Sequence, residues 1–115
     1  MTSMTSPPLP QDLRERFRHH PTHVVALEHA LAQVAADPRP GLDTFERAIW
    51  ALEATLAGFS SDARTAVRHA RSENDTDAIE RAEQELLFML HSGNPINYDL
   101  SELRAYFDEQ RGVQP

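Results

Sequence analysis

The sequence lacks two residue types altogether, cysteine and lysine. Without cysteine there is no disulfide bond, no thiolate nucleophile and no cysteine-ligated zinc or iron–sulfur site. Without lysine there is no Schiff-base chemistry, no lysine general base and no phosphate-binding lysine of the P-loop type. All 11 basic residues are consequently arginines. Several enzyme classes are excluded by these two absences.

The chain also lacks a long apolar segment. No run approaches the roughly 20 apolar residues of a membrane-spanning helix, and the first residues have neither the basic nor the apolar region of a signal peptide. We therefore expect a cytoplasmic protein with no membrane partner. The formal net charge is −7. This charge disfavours nucleic acid as a partner, because nucleic-acid binding depends mainly on neutralising phosphates, and it fits a protein partner.

Apolar residues recur at helical spacing, with neither strand-like alternation nor a long internal repeat. A composition of 40% hydrophobic and 25% charged residues is typical of a globular domain. The predicted fold class is all-α, a compact bundle of five or six short helices. We expect a disordered tail over residues 1–8 and a single helical domain over residues 9–112.

The segment from Gly41 to Phe59 is predicted to be the central helix. Asp43 followed by Glu46 forms a capping-box pattern at its start, and Gly58 can adopt the left-handed conformation that ends helices. The other helices are expected to pack around one apolar stripe. That stripe consists of Leu42, Phe45, Ile49, Leu52, Leu56 and Phe59.

Residues typical of helix starts and stops divide the rest of the chain. Thr22 is predicted to cap a second helix that ends near residue 36, and Ser60 or Ser61 to cap a fourth. The remaining predicted helices cover residues 10–20, residues 61–72, a segment from the acidic break at 73–77 to residue 92, and residues 99–110. A single bent helix over 61–92 is the alternative for the fourth and fifth.

Two aromatic residues lie off the apolar stripes of their helices. Trp50 lies about 140° around the helix from Phe45, and Phe88 lies opposite Leu86. Each side chain therefore needs a second neighbour. That neighbour is either the core of the same chain or a partner, and tryptophan is over-represented where partners bind. We treat both residues as candidate contacts and expect a homodimer, since sharing them across a two-fold axis would bury more apolar surface.

Three arginines, Arg64, Arg68 and Arg71, form a basic ridge at helical spacing on an acidic chain. One interpretation is pairing with glutamates of the next helix. A second is a docking face for a phosphate or an acidic partner. A third is a helix-turn-helix DNA binder, in which the short turn Gly-Phe-Ser-Ser precedes a recognition helix carrying the ridge.

His19, His20 and His23 surround Pro21 and are weak candidates for a metal site, because histidines four residues apart can bind one ion from a helix face. The proline interrupts that face, so we predict no metal and no cofactor. Surface histidines at a turn are the main interpretation. A pH-responsive joint is the remaining one, because histidine titrates near neutrality.

An enzymatic alternative uses Glu53 and Glu83 with a histidine, as in an all-helical metal-dependent hydrolase or ribonuclease. The spacing of Arg64 and His69 also resembles the Arg-x4–6-His motif of HEPN-type helical ribonucleases, and Arg14 with His19 has the same spacing. The favoured hypothesis is a small acidic protein that acts by protein–protein interaction. Its expected type is an adaptor, an antitoxin or immunity protein, or an anti-regulator.

Overall fold

The computed structural model describes residues 7–37, 39 and 43–113, and within these ranges the secondary structure is entirely helical. The all-α class is therefore confirmed. The described part of the chain forms five α-helices and one short 3₁₀ helix. They are α1 (Gln11–Arg16), α2 (Pro21–Ala36), α3 (Thr44–Ser72), α4 (Thr76–Ser92), the 3₁₀ helix (Pro95–Asn97) and α5 (Ser101–Val113).

Helix α3 runs without interruption through the point where the sequence predicted two helices. The predicted stop at Gly58 and the predicted new start at Ser60 or Ser61 are wrong. A glycine inside a helix costs only about 1 kcal/mol relative to alanine, and the buried stripe continues past it. That stripe continues through Ser60, Ala63, Val67 and Ala70, all buried. Packing along the whole stripe outweighs the local preference of Gly58 to end the helix.

The ends of α3 and the start of α4 follow the sequence prediction more closely. The Asp43 carboxylate accepts hydrogen bonds from the backbone N–H groups of Phe45 and Glu46, which caps α3. The predicted acidic break is a tight turn in which Asn74 adopts a φ of 55°. The Asp75 carboxylate then caps α4 by accepting from Ala78 N. Two helices therefore occupy the region 61–92, and the first of them begins at Thr44.

The first helix is shorter than predicted, because α1 ends at Arg16 and a turn follows. His20, and not Thr22, is the N-cap residue of α2, and Pro21 occupies the first turn of that helix. Proline suits this position because its missing N–H would have no helical partner there. The two helices are thus joined by a histidine-containing turn, as expected, but the turn begins at residue 17, inside the predicted first helix.

The core lies where α3 packs against α2, α4 and α5. Of the predicted central stripe, Leu52 and Leu56 are fully buried and Phe45, Ile49 and Phe59 are half-buried, whereas Leu42 lies outside the described residues. Further fully buried side chains come from the other helices. They include Leu13, Phe17, Leu27, Leu31 and Leu103.

The predicted tail over residues 1–8 falls mostly on residues 1–6, which lie outside the described ranges. Pro7 is buried, so packed chain begins two residues before the predicted domain boundary at residue 9. None of the helices in the described ranges combines the length and apolar content needed to cross a membrane.

Candidate functional site

Trp50 lies on the side of α3 that points away from the core. Its side chain is 58% exposed, whereas Leu52, two residues later, is fully buried. Ala54 and Ala57, which follow Trp50 by four and seven residues, are also exposed. Residues at these spacings share one face of a helix. The single tryptophan of the chain is therefore not part of the core of one protomer.

Two leucines of α4, Leu87 and Leu90, are exposed as well. Arg71 of α3 donates a hydrogen bond to Glu83 of α4 at 2.6 Å, which identifies the edge along which the two helices meet. Leu87 and Leu90 follow Glu83 by four and seven residues and so lie on the same edge of α4. They are 54% and 45% exposed.

On α3, Ala57 lies two heptads before Arg71 and therefore on the corresponding side. The tryptophan side of α3 and the leucine edge of α4 thus face the same side of the helix pair, with Trp50 about 20 Å further along the pair than Leu90. We call this surface the outer face. It consists of Trp50, Ala54, Ala57, Leu87 and Leu90.

Charged residues of opposite sign lie at the two ends of the outer face. Glu46 and Glu53 are exposed on the first half of α3, and Arg64 and Arg68 are exposed on the second half. Within the described residues none of these four side chains forms an ion pair, although Arg68 donates to the Thr65 hydroxyl at 3.3 Å. Their charges are therefore available to a partner.

Phe88, the second candidate contact, lies away from the outer face in a cluster of rings. It packs edge-on against Phe17 with ring centroids 5.4 Å apart and stacks on His20 at 4.9 Å. The Arg16 guanidinium lies over the Phe88 ring at 4.7 Å. The second neighbour that Phe88 requires is thus supplied by the chain's own α1 and the turn after it.

His20 and His23 both belong to this ring cluster. His20 Nε2 lies 2.8 Å from Glu85 Oε1, and the His23 ring contacts Phe59 with centroids 4.2 Å apart. The two imidazoles are themselves 5.3 Å apart. His20, just before α2, is consequently joined to α4, and His23, in the first turn of α2, is joined to α3.

The environment of His23 disfavours its charged form. Burial lowers the pKa of His23, and the neighbouring His20 lowers it further, while Glu85 and Asp62 act in the opposite direction. His20 Nδ1 is buried, and within the described ranges no hydrogen-bond donor or acceptor reaches it. The cluster therefore combines close ring packing with polar atoms that are poorly solvated.

The metal interpretation of the histidines finds no suitable geometry in the described residues. His19 is exposed and its Nε2 accepts from Arg18 Nε at 3.3 Å, so it does not join His20 and His23. In residues 7–37, 39 and 43–113, no group of three or more histidine, aspartate or glutamate side chains is arranged to hold an ion.

The arginine ridge divides into two parts. Arg71 pairs with Glu83, as the pairing interpretation predicted, whereas Arg64 and Arg68 remain exposed on α3. The helix-turn-helix interpretation required a turn before the ridge, and α3 is continuous there. It is therefore not retained.

The two carboxylates of the enzymatic alternative, Glu53 and Glu83, are separated in the fold. Glu53 precedes Arg71 by 18 residues on α3, which places their Cα atoms about 27 Å apart, and Glu83 is held by Arg71. Glu53 and Glu83 therefore cannot share one ion. The HEPN-like pair Arg64 and His69 diverges as well, because five residues correspond to about 140° of helical rotation, and His69 lies 3.6 Å from Glu73.

Sequence reasoning missed the exposure of Leu87 and Leu90 and the contact between His20 and Glu85. The first was signalled by the run from Leu86 to Leu90, in which apolar residues surround the whole helix. The second had no local signal, since 65 residues separate the two side chains.

Comparison of the chain with protein-family models, with curated proteins and with solved structures finds no match. Function is therefore argued from the residues of the outer face and of the ring cluster.

Proposed function

We propose that this protein acts by protein–protein contact and assembles as a homodimer through the outer face. The observation that supports this most strongly is Trp50, which is 58% exposed on the helix that contributes the most residues to the core. Tryptophan is enriched among the residues that dominate binding energy at interfaces. Covering the indole with a partner would release the water that now contacts it.

The grouping of the exposed apolar residues supports an interface more than their number does. Single exposed apolar side chains are normal on protein surfaces, whereas contiguous ones mark contact sites. Val25 is 61% exposed but lies on α2, which packs against the buried side of α3. Trp50 instead lies on α3, and Leu87 and Leu90 lie together on one edge of α4, the helix that packs beside α3.

The net charge of −7 places a dimer of this chain at about twice that charge. Such a surface attracts basic protein surfaces and repels nucleic acid. This supports an adaptor, an antitoxin or immunity protein, or an anti-regulator as the class of function, with a basic protein as the further partner.

Self-association is tested by sedimentation of the full chain over a range of roughly 1–300 µM, which covers micromolar dissociation constants. Because Trp50 is the only tryptophan, its fluorescence reports directly on burial. We expect the emission maximum to shift to shorter wavelength as dimer forms.

A pair of matched variants isolates the outer face. Trp50→Ala should abolish dimerisation, whereas Val25→Ala, which removes an equally exposed apolar side chain from another surface, should leave it unchanged. A wild-type chain that stays monomeric across the whole range, with an indole emission that does not move, would overturn the proposal.

A further inference from the structure

We propose that the outer face receives the same face of a second copy, with the two α3 helices antiparallel and the two-fold axis beside Ala57. This inference rests on the proposed function and names the partner and its register. The two-fold relation requires the surface to be complementary to itself.

The charges along α3 meet this requirement. The first half of the exposed side carries Glu46 and Glu53, and the second half carries Arg64 and Arg68. Inside one chain these groups lie too far apart along a single rigid helix to pair. In an antiparallel pair, the acidic half of each helix faces the basic half of the other. The macrodipoles of two antiparallel helices attract each other, which also favours this arrangement.

The position of the axis follows from the spacing of the charges. Glu46 and Arg68 each lie 11 residues from Ala57, so a two-fold axis there brings Glu46 of one copy opposite Arg68 of the other. Trp50 and Arg64 each lie seven residues from Ala57 and face one another in the same way. An arginine over an indole ring is a favourable cation–π arrangement, and Glu53 lies one turn further along on the same side.

Small residues at the centre permit this approach. Ala54, Ala57 and Ser61 are exposed around the proposed axis. Helices that meet through such side chains pack at an axial separation of about 8 Å. At that separation Trp50 of the second copy reaches the α4 edge of the first, where Leu87 and Leu90 lie exposed.

Charge reversal tests the register. Glu46→Arg alone and Arg68→Glu alone each place like charges opposite one another at two symmetric points, and each should raise the dimer dissociation constant by about tenfold or more. The double variant Glu46→Arg with Arg68→Glu restores opposite charges at both points. We expect its dissociation constant to return to within about threefold of the wild-type value.

Single-cysteine cross-linking supplies an independent measurement, because the native chain has no cysteine. A disulfide requires Cα atoms within about 4.4–6.8 Å, which two symmetric copies of residue 57 would satisfy. Ala57→Cys should form a covalent dimer under mild oxidation at least about tenfold faster than Ala66→Cys. Ala66 is likewise an exposed alanine of α3, but lies about 180° around the helix from Ala57.

The outcomes separate the register from the proposed function. Rescue by the double variant together with selective cross-linking at residue 57 supports the antiparallel arrangement. A wild-type dimer that needs Trp50 but shows neither rescue nor selective cross-linking overturns the register and leaves the interaction proposal standing. A chain that does not dimerise at all overturns both.

Discussion

His20 Nε2 and Glu85 Oε1 lie 2.8 Å apart and join the turn between α1 and α2 to the middle of α4. The imidazole also stacks on Phe88, which follows Glu85 by three residues on the same helix. Because α1 is only six residues long, it cannot be stable on its own. Its position therefore depends on this contact and on the burial of Leu13 and Phe17.

Removal of the Glu85 carboxylate should weaken the attachment of this turn. We expect Glu85→Ala to lower the free energy of unfolding by about 1 kcal/mol, because a partly buried hydrogen bond is lost and His20 keeps no partner at either ring nitrogen. Alanine has the higher helix propensity, so backbone preference cannot cause a loss. Glu85→Gln retains the acceptor oxygen and should lie close to wild type in urea denaturation. Equal losses in both variants would contradict this role.

The stability of the fold should depend on pH through His23. The pKa of His23 is lowered in the folded state, mainly by burial and to a smaller extent by His20. The unfolded chain therefore binds the proton more tightly than the folded chain does. Stability is therefore full above the ordinary histidine pKa of about 6.5 and falls as the pH drops below it. We expect the melting temperature of wild type to decrease between about pH 7 and pH 5.

A ring that does not titrate provides the control for this effect. In the wild type, the ring centroids of His23 and Phe59 are 4.2 Å apart. His23→Phe keeps an aromatic contact there. Its melting temperature should decrease less than that of the wild type over the same pH interval. Glu85 and Asp62 face His23 and remain in both proteins. Identical pH profiles for the two proteins would show that His23 does not contribute.

Leu52 and Glu53 are adjacent on α3 and should respond oppositely to truncation. Leu52 is fully buried in the core whereas Glu53 is exposed. Leu52→Ala should destabilise the fold by about 2–5 kcal/mol, the range for a cavity left in a packed core. Glu53→Ala should change the free energy of unfolding by no more than about 0.5 kcal/mol. Chemical denaturation of dilute, monomeric protein measures both, and a small effect of Leu52→Ala would contradict the assigned packing of α3.

The sequence sufficed to predict the helical class, the Asp43 cap and the C-terminal end of α2, because these depend on nearby residues. The continuity of α3 was missed because Gly58, Ser60 and Ser61 are local stop and start signals. The apolar stripe that outweighs these signals becomes visible only when the helical periodicity is followed through residues 45–70 without a break.

For the candidate site, the sequence identified Trp50 as unusual but could not decide between core and contact. That decision depends on the direction from which α2 and α4 approach α3, which no local pattern encodes. Phe88 posed the same question, and it packs within the chain because Phe17 and His20 reach it from a distant part of the sequence.

A substitution at Gly58 can distinguish one continuous helix α3 from the two helices that the sequence predicted. A Cβ atom built on Gly58 would meet no atom within 4 Å, and the backbone there is helical. Gly58→Ala should therefore stabilise the protein by about 0.5–1 kcal/mol, because alanine has the higher helix propensity and restricts the unfolded chain.

The broken-helix alternative predicts the reverse sign for the same substitution. A glycine that ends a helix adopts a left-handed conformation, in which alanine is strained. The melting temperature of Gly58→Ala, measured below the concentration at which dimer forms, decides between them. An increase of a few degrees supports one helix from Thr44 to Ser72, on which the spacing of Glu46, Ala57 and Arg68 along one rigid element depends. A decrease would mean that the acidic and basic halves of the outer face lie on separate helices, and the antiparallel register would lose its basis.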